Sequence, residues 1–313
     1  MRRADWWLCV VGRGMLRAAR TMAVLAGLAA GGRPAPASAQ QRVPLVLNHL
    51  EIVLDSATFA DVKASPFLLG QFAAVDTVEN RSHEGFLGVR LFGKYNWITL
   101  GHPVRMGDER AAPGDVAIAL SSEAPRAIES LTGDGHLMKL FTASGASEGG
   151  MATDYLRDYN TVARLAGPDS TSRHTQFEIM QYSAHTSARL AQVDSLPVTN
   201  LSNARFLARY YDRHRLFEYL SGATLAIPVD DITKIASALE RDSVTVLHEG
   251  EGAIIKLDGF TLHLIPPWGG AGIKELRFAL TREVTANPVY SFGPRSRLRF
   301  GPGPIAVWDF TAR

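Results

Sequence analysis

The stretch LNHLEIVLDSATFADVKASPFL, residues 47–68, predicts a β-strand that is followed directly by a helix. Up to Asp55 it is an apolar run with β-branched residues, which is typical of a buried strand. From Ser56 onward it begins with a residue type that caps helices and carries apolar residues at helical spacing. The strand places one imidazole, that of His49, among aliphatic side chains, and this position needs an explanation.

Three more strands follow this helix, so the first part of the chain forms a strand–helix–strand–strand–strand unit. Each is bounded by turn residues, and they are predicted over residues 71–79, 85–93 and 95–101. The same order returns late in the chain. That copy has a strand at 223–229, a helix at 230–240, and strands at 243–249, 253–259 and 260–266.

A less regular copy lies between these two units. It has a strand at 114–121, a helix at 123–131, and strands at 136–142 and 175–183, with a polar and helical insertion over 143–172. Residues 184–221 are predicted to be a helical connector, with an amphipathic, tyrosine-rich helix over 209–219. The tail adds strands at 273–281 and 297–310, which we expect to complete the last sheet.

These elements predict an α+β fold of repeated βαβββ units that pair into a mixed sheet. The units are expected to pair because an open sheet with a single helix cannot cover both of its faces. The predicted domain boundaries are 40–104 for the first unit, 105–221 for the second unit with its insertion and connector, and 222–313 for the third unit with the C-terminal strands.

Residues 1–39 are predicted to be an export signal. Arginines precede the apolar run TMAVLAGLAA (21–30), and the small residues Ala-Ser-Ala at 37–39 suit a cleavage site. The apolar run is too short to anchor the chain across a bilayer. We therefore expect a periplasmic or extracellular protein that has no membrane contact after cleavage.

The composition beyond residue 39 argues against several function classes. Six of the 33 basic residues and one of the 31 acidic residues fall within 1–39, which leaves 27 basic and 30 acidic residues and a net charge of −3. No basic cluster with interleaved aromatic residues is present, so nucleic acid is not an expected partner. Cys9 is the only cysteine. The cleaved protein therefore has no disulfide, zinc–cysteine site or cysteine nucleophile.

The repeated unit resembles the vicinal oxygen chelate superfamily, which has the glyoxalase-like fold, and in particular an uncharacterised exported bacterial branch of it. The resemblance is carried by residues 47–68 and by FGKYNWITL (92–100), DGFTLHLIPP (258–267) and GIKELRFAL (272–280). It covers most of residues 45–281 at the level of architecture. It implies a U-shaped cleft in which the first and last strands of paired units supply the ligands of a divalent metal.

The resemblance implies a metal site built around His49, which matches the first-strand ligand position. The corresponding position of the third unit is Thr224, and the last-strand positions are Thr99 and His263. Glu51 lies two residues from His49 and shares its face of the strand. One divalent metal, zinc, iron or manganese, is thus expected on His49, His263 and Glu51, where it would polarise vicinal oxygens. The alternative is that both histidines are strand residues hydrogen-bonded to their neighbours.

Other residues are predicted to complete this site. Proton transfer is expected from Glu178, in a late strand of the second unit, or from His102, which lies just past a strand end. The predicted substrate-binding residues are Tyr95, Trp97, Thr99 and Thr224. The alternative role for Tyr95 and Trp97 is core packing against the helix.

The sequence leaves three functions open. One is metal-assisted lyase, isomerase or dioxygenase-type chemistry on a small molecule. Another is a non-catalytic small-molecule-binding protein of the same fold, which the two threonines at ligand positions favour. In both, the units pair within one chain or in a homodimer.

The third function is a serine hydrolase. GASEG (145–149) matches G-x-S-x-G and would make Ser147 the nucleophile. Asp194 or Asp212, with His214 or His263, would complete its triad.

Overall fold

The computed structural model describes residues 44–78, 88–101, 112–122, 159–166, 175–182 and 202–311. The predicted export signal, His102 and the GASEG stretch with Ser147 lie outside these ranges, as do the helix predicted at 123–131 and the strand predicted at 136–142. Within the described ranges, no helix is both long and apolar enough to cross a membrane.

The first of two mixed sheets is built from the N-terminal half of the chain. Its strands are β1 (Leu45–Val53), β2 (Ala74–Val78), β3 (Gly88–Phe92), β4 (Trp97–Gly101), β5 (Val116–Ser122), β6 (Tyr159–Ala166) and β7 (Thr175–Tyr182). Their order is β2-β3-β4-β1-β5-β7-β6. Helix α1 (Ser56–Ala64) and a short π-helical turn (Leu68–Phe72) connect β1 to β2.

The second sheet is built from the C-terminal part of the chain. Its strands are β8 (Phe217–Ala226), β9 (Thr245–Glu249), β10 (Gly252–Leu257), β11 (Phe260–Ile265), β12 (Gly272–Leu280), β13 (Val289–Phe292), β14 (Ser296–Phe300) and β15 (Ile305–Asp309). Their order is β13-β14-β15-β12-β8-β11-β10-β9. Helix α2 (Asn203–Leu207) precedes β8, and helix α3 (Val229–Arg241) connects β8 to β9.

The predicted repeat is present in both sheets. β1 lies parallel to β4, and β2, β3 and β4 form an antiparallel series, which is the βαβββ unit. Parallel neighbours need a crossover connection, and helix α1 provides it. β8, α3, β9, β10 and β11 repeat this arrangement with the same strand order. The element order predicted for the first and third units is therefore observed in the structure.

The units pair edge to edge within each sheet. β1 runs antiparallel to β5, and β8 runs antiparallel to β12. The predicted tail strands do join the last sheet, but with β13 they form a fourth unit, β12 to β15, which three predicted units did not anticipate. This unit has no helix, so β12 and β15 are antiparallel instead of parallel.

Two segments differ from the sequence prediction. Residues 159–166, predicted to lie in the insertion, form β6 and pair with β7. The helix predicted over 209–219 is absent, because α2 ends at Leu207 and β8 begins at Phe217. Between them the Asp212 carboxylate accepts a hydrogen bond from the backbone N–H of His214 (2.9 Å), which is a turn geometry that competes with a helix.

The cap of α1 lies one residue earlier than predicted. Asp55, not Ser56, accepts hydrogen bonds from the backbone N–H groups of Ala57 and Thr58, at 3.1 and 3.0 Å. Partial burial alone would raise the pKa of Asp55, but these hydrogen bonds outweigh it and the pKa is lowered. An ionised aspartate at this position stabilises the helix start.

The inner faces of the two sheets share one hydrophobic core. Alternate residues of β1, such as Leu50 and Ile52, pack there against residues of the second sheet, such as Leu225. Asn96 links the sheets further, because its side chain donates to the carbonyl oxygen of Leu220 (3.1 Å) and accepts from the N–H of Leu220 (2.7 Å). The intervening residues of β1 face away from this core and define the outer face of the first sheet.

Candidate functional site

Two rows of side chains cross the outer face of the first sheet. The strand register places His49 between Trp97 on β4 and Ala119 on β5, with Phe92 beyond Trp97. Residues directly opposite one another on neighbouring strands have their side chains on the same face. These residues therefore form one row, which we call the histidine row.

The second row lies beside the first, two residues further along β1. The register aligns Glu51 with Thr99 on β4, Thr99 with Arg90 on β3, and Arg90 with Asp76 on β2. We call this the polar row. Strand alternation therefore brings the predicted residues His49, Glu51, Trp97 and Thr99 onto one surface.

His49 is buried and uncharged at neutral pH. Its side chain is 2% exposed and stacks on the indole of Trp97, with ring centroids 4.4 Å apart and planes inclined by 17°. Burial, and secondarily the positive charge of Arg90, lower the pKa of His49 from 6.5 to about 3. A neutral imidazole has one nitrogen that donates and one that accepts.

A chain of buried hydrogen bonds determines which nitrogen donates. The Leu47 carbonyl can only accept, so Asn203 uses its amide nitrogen to donate to it (3.2 Å) and keeps its oxygen as an acceptor. That oxygen accepts from the amide nitrogen of Asn48 (2.6 Å), which leaves the Asn48 oxygen to accept from Nδ1 of His49 (2.9 Å). Nδ1 of His49 therefore carries the proton, and Nε2 carries the lone pair.

A β-bulge makes this chain possible. The register between β1 and β5 shifts between Leu47 and His49, so Asn48 is an extra residue in the strand. A bulge re-aims side chains and breaks strict alternation. The consecutive residues Asn48 and His49 can therefore hydrogen-bond to each other, and Asn48 also donates to the hydroxyl oxygen of Ser121 (3.2 Å).

Helix α2 covers the histidine row. Ser202 caps it by accepting a hydrogen bond from the N–H of Arg205 (3.2 Å). Phe206 and Leu207 then pack in a buried cluster with Trp97 and Met180. The cover is separate from the core between the sheets, and it explains why water does not reach His49.

The polar row contains a buried hydroxyl group that has no partner among the residues that the structure describes. Thr99 is 1% exposed, and its Oγ1 has no hydrogen bond within the described part of the chain. On one side lies Glu51, whose Oε1 is 3.9 Å from Nε2 of His49. On the other side lies the half-buried Arg90. Burying a polar group without a partner is costly, and such groups in native proteins call for an explanation.

The predicted three-ligand metal set is not brought together. His49 and Glu51 are neighbours on the first sheet, but His263 lies on β11 of the second sheet, paired with Thr224. The first and second units share one sheet, and the third and fourth units share the other. The two histidines therefore lie on different sheets. Across the ranges that the structure describes, no group of three His, Cys, Asp or Glu side chains is arranged to hold a metal.

The remaining predicted residues fall in different surroundings. Tyr95 precedes β4, is 42% exposed and packs edge-on against Tyr219, so it lies apart from the histidine row. Thr224 is half-buried on the second sheet and pairs with Glu275 of β12. The backbone of Glu178 on β7 pairs with Ala119, so its position continues the histidine row.

Sequence reasoning missed three residues of the site: Asn48, Arg90 and Asn203. Arg90 had a usable signal, because it is the one charged residue in the apolar stretch 85–93 and strand pairing would align it with Thr99. Asn48 and Asn203 had none, because a bulge and a contact across more than 150 residues leave no local pattern.

Comparisons with known proteins give one family and distant structural likenesses. A sequence model described as "Family of unknown function (DUF5829)" matches residues 47–310. The search of curated proteins gives no match. A hypothetical protein from Staphylococcus aureus is similar at 9% identity and a TM-score of 0.44, covering 71% of this chain and 86% of that one.

A second solved structure is a xylose isomerase-like TIM barrel/4-hydroxyphenylpyruvate dioxygenase fusion protein. It is similar at 12% identity and a TM-score of 0.38, and the match covers 77% of this chain and 37% of that one.

Proposed function

The chain belongs to the DUF5829 family, whose function is unknown, and from its own geometry we propose that it binds a small organic molecule on the outer face of the first sheet. The site consists of the polar row around Thr99 and the adjoining ring surface of Trp97. With the export signal predicted at residues 1–39, this binding would take place in the periplasm or outside the cell.

The observation that carries this proposal is the buried hydroxyl of Thr99, which has no hydrogen-bond partner in the described ranges. Burying a polar group without a hydrogen bond lowers the stability of the protein by about 1–3 kcal/mol. A valine at the same position would avoid this cost, because it has nearly the same shape and no hydroxyl. A bound molecule that hydrogen-bonds to Thr99 Oγ1 would remove that cost. The buried rings of Trp97 and Phe92 adjoin the polar row, and small-molecule sites are commonly lined by apolar side chains of this kind.

The low pKa of His49 favours a role in ligand binding over a role in proton transfer. A general base works best when its pKa is near the operating pH. Burial holds the pKa of His49 at about 3, so its imidazole is a poor base at neutral pH. The imidazole instead lines the site as a rigid, uncharged ring whose Nε2 can accept a hydrogen bond.

Metal-assisted lyase, isomerase or dioxygenase-type chemistry is the second candidate, and the tautomer of His49 is the observation that favours it. Metal-binding histidines usually donate their other ring N–H to a neighbouring oxygen, as Nδ1 of His49 does to Asn48. His49 and Glu51 would supply two ligands, and the position of Glu178 is the candidate for a third. A bound zinc, iron or manganese ion would act as a Lewis acid on a carbonyl oxygen.

The two candidates are separated by metal content. The full chain is purified without a chelator or an affinity tag, beside single variants His49→Ala and His263→Ala, and zinc, iron and manganese are measured in each. Near-stoichiometric metal that is lost only in His49→Ala would establish the metal-assisted candidate. Absence of metal in all three proteins would favour the binding protein.

Binding is tested with thermal shift and tryptophan fluorescence on the wild type and on Thr99→Val. The probes are acetate, pyruvate, benzoate and phenylacetate, together with their four amides. Thr224→Val, at a half-buried position of the second sheet, is the matched control. We expect at least one probe to bind the wild type and Thr224→Val, and to bind Thr99→Val at least about tenfold more weakly. Equal binding to all three proteins would contradict the site.

A further inference from the structure

Arg90 adds a charge to the site that the proposed function does not explain. Strand pairing places it directly beside Thr99, so their Cβ atoms are neighbours on the same face. Its side chain is half-buried, and its positive charge reaches His49, where it helps to lower the pKa of that imidazole. The cation therefore lies on the same face of the sheet as the site.

No acidic side chain of the described residues pairs with this cation. Asp76 lies directly across from Arg90 on β2 and is exposed, yet the two make no ion pair. Other arginines of the chain do pair, as Arg277 does with Glu275 at 2.6 Å. A half-buried guanidinium is stabilised by an anion, and it binds carboxylates particularly well because its N–H groups match their geometry.

The adjacent hydroxyl of Thr99 is a second donor with no partner within the described chain. A hydroxyl donor beside a guanidinium is a suitable pair for an oxyanion, since one carboxylate can accept from both. His49 does not compete for this anion, because it is neutral and its Nδ1–H is engaged by Asn48. Two independent observations, a cation and a buried hydroxyl that both have no partner among the described residues, thus point to the same chemical group.

We infer that the molecule bound by this protein is a small carboxylate, with its carboxylate group held between Arg90 and Thr99. This inference rests on the proposed binding function and specifies its ligand class. The rest of the molecule lies toward the Trp97 ring, which suits a planar or apolar body.

The test compares each carboxylate with its own amide. Acetate, pyruvate, benzoate and phenylacetate are titrated beside acetamide, pyruvamide, benzamide and phenylacetamide, with tryptophan fluorescence and calorimetry as readouts. A charge-assisted hydrogen bond is about twice as strong as a neutral one. For at least one pair, we expect the wild type to bind the carboxylate about tenfold or more tightly than the amide.

Two arginine variants test whether the preference for a carboxylate depends on the charge of Arg90. Arg90→Gln should remove the preference for the carboxylate, whereas Arg299→Gln, an exposed arginine on the second sheet, should keep it. Equal affinity for carboxylate and amide in the wild type, or an unchanged preference in Arg90→Gln, would overturn this inference and leave the binding function standing. Failure of all eight probes to bind would count against both.

Discussion

The carboxamide of Asn203 reaches across 156 residues of sequence to donate to the carbonyl oxygen of Leu47, 3.2 Å away. This contact ties the helix that covers the site to the strand that carries His49. It also begins the hydrogen-bond chain that fixes the proton on Nδ1 of the imidazole. The asparagines and the imidazole are thus held rigid by buried hydrogen bonds, whereas the buried hydroxyl of Thr99 has no hydrogen bond within the described part of the chain.

Replacing Thr99 with valine should stabilise the unliganded protein. Valine has nearly the same shape and removes a buried hydroxyl that has no partner among the described residues, so we expect the free energy of unfolding to rise by about 1 kcal/mol. The measurement is urea unfolding followed by circular dichroism, with Thr224→Val as the control, which should change little. A loss of stability on Thr99→Val would show that the hydroxyl has a partner within the protein.

The buried asparagines should act as one unit. Asn48→Ala and Asn203→Ala each break the bond between their side chains, so each should lower the free energy of unfolding by about 1–3 kcal/mol. The double variant should cost less than the sum of the two, with a coupling of at least about 0.5 kcal/mol. Strict additivity in a double-mutant cycle would contradict the hydrogen bond between the two asparagines.

Stability should fall as the pH drops from 6.5 toward 3. The unfolded chain protonates His49 near pH 6.5, whereas the folded protein resists protonation until about pH 3, so acid favours the unfolded state in between. The slope contributed by this one group is at most about 1.4 kcal/mol per pH unit. Unfolding free energies measured between pH 7 and 5 should show this slope in the wild type and in His263→Gln. The slope should be reduced in His49→Gln, and an equal slope in all three proteins would refute the burial of a neutral His49.

Asn96 should be essential for the contact between the sheets. Its amide makes both a donor and an acceptor bond to the backbone of Leu220, and Asn96→Leu would leave that buried N–H and carbonyl unsatisfied. The expected cost is about 2–4 kcal/mol, measured by thermal or urea unfolding. Ser221→Ala, at the half-buried residue after Leu220, serves as the control, because it removes a single hydrogen bond, to the carbonyl oxygen of Arg277 (3.1 Å). A similar small effect for both variants would contradict the role of Asn96.

Much of the fold could be predicted because the decisive patterns are local. The strand of His49, helices α1 and α3, and strands β9 to β11 have regular apolar spacing and clear turn residues, and the structure has them at nearly the predicted bounds. β13 and the first half of β8 were not predicted. For β8 the reason is that residues 209–219 combine aromatic and charged side chains at a spacing that also suits a helix.

The candidate site could be predicted only in part. Strand alternation was enough to bring together His49, Glu51, Trp97 and Thr99, because they lie on two strands of a single unit. His263 was predicted beside His49 but lies on the second sheet, because the choice of which units share a sheet depends on edge-to-edge contacts that leave no sequence pattern. The bulge at Asn48 and the covering helix with Asn203 depend on tertiary contacts in the same way.

The central claim is that Thr99 Oγ1 forms a hydrogen bond with an atom of the bound ligand. It is tested most directly by a crystal structure of the full chain soaked with the tightest-binding carboxylate of the probe set. The account predicts a carboxylate oxygen within about 3.2 Å of Thr99 Oγ1, with the Arg90 guanidinium on its other side. A structure in which Thr99 bonds to a protein group, and in which the soaked compound lies elsewhere or is absent, would contradict it.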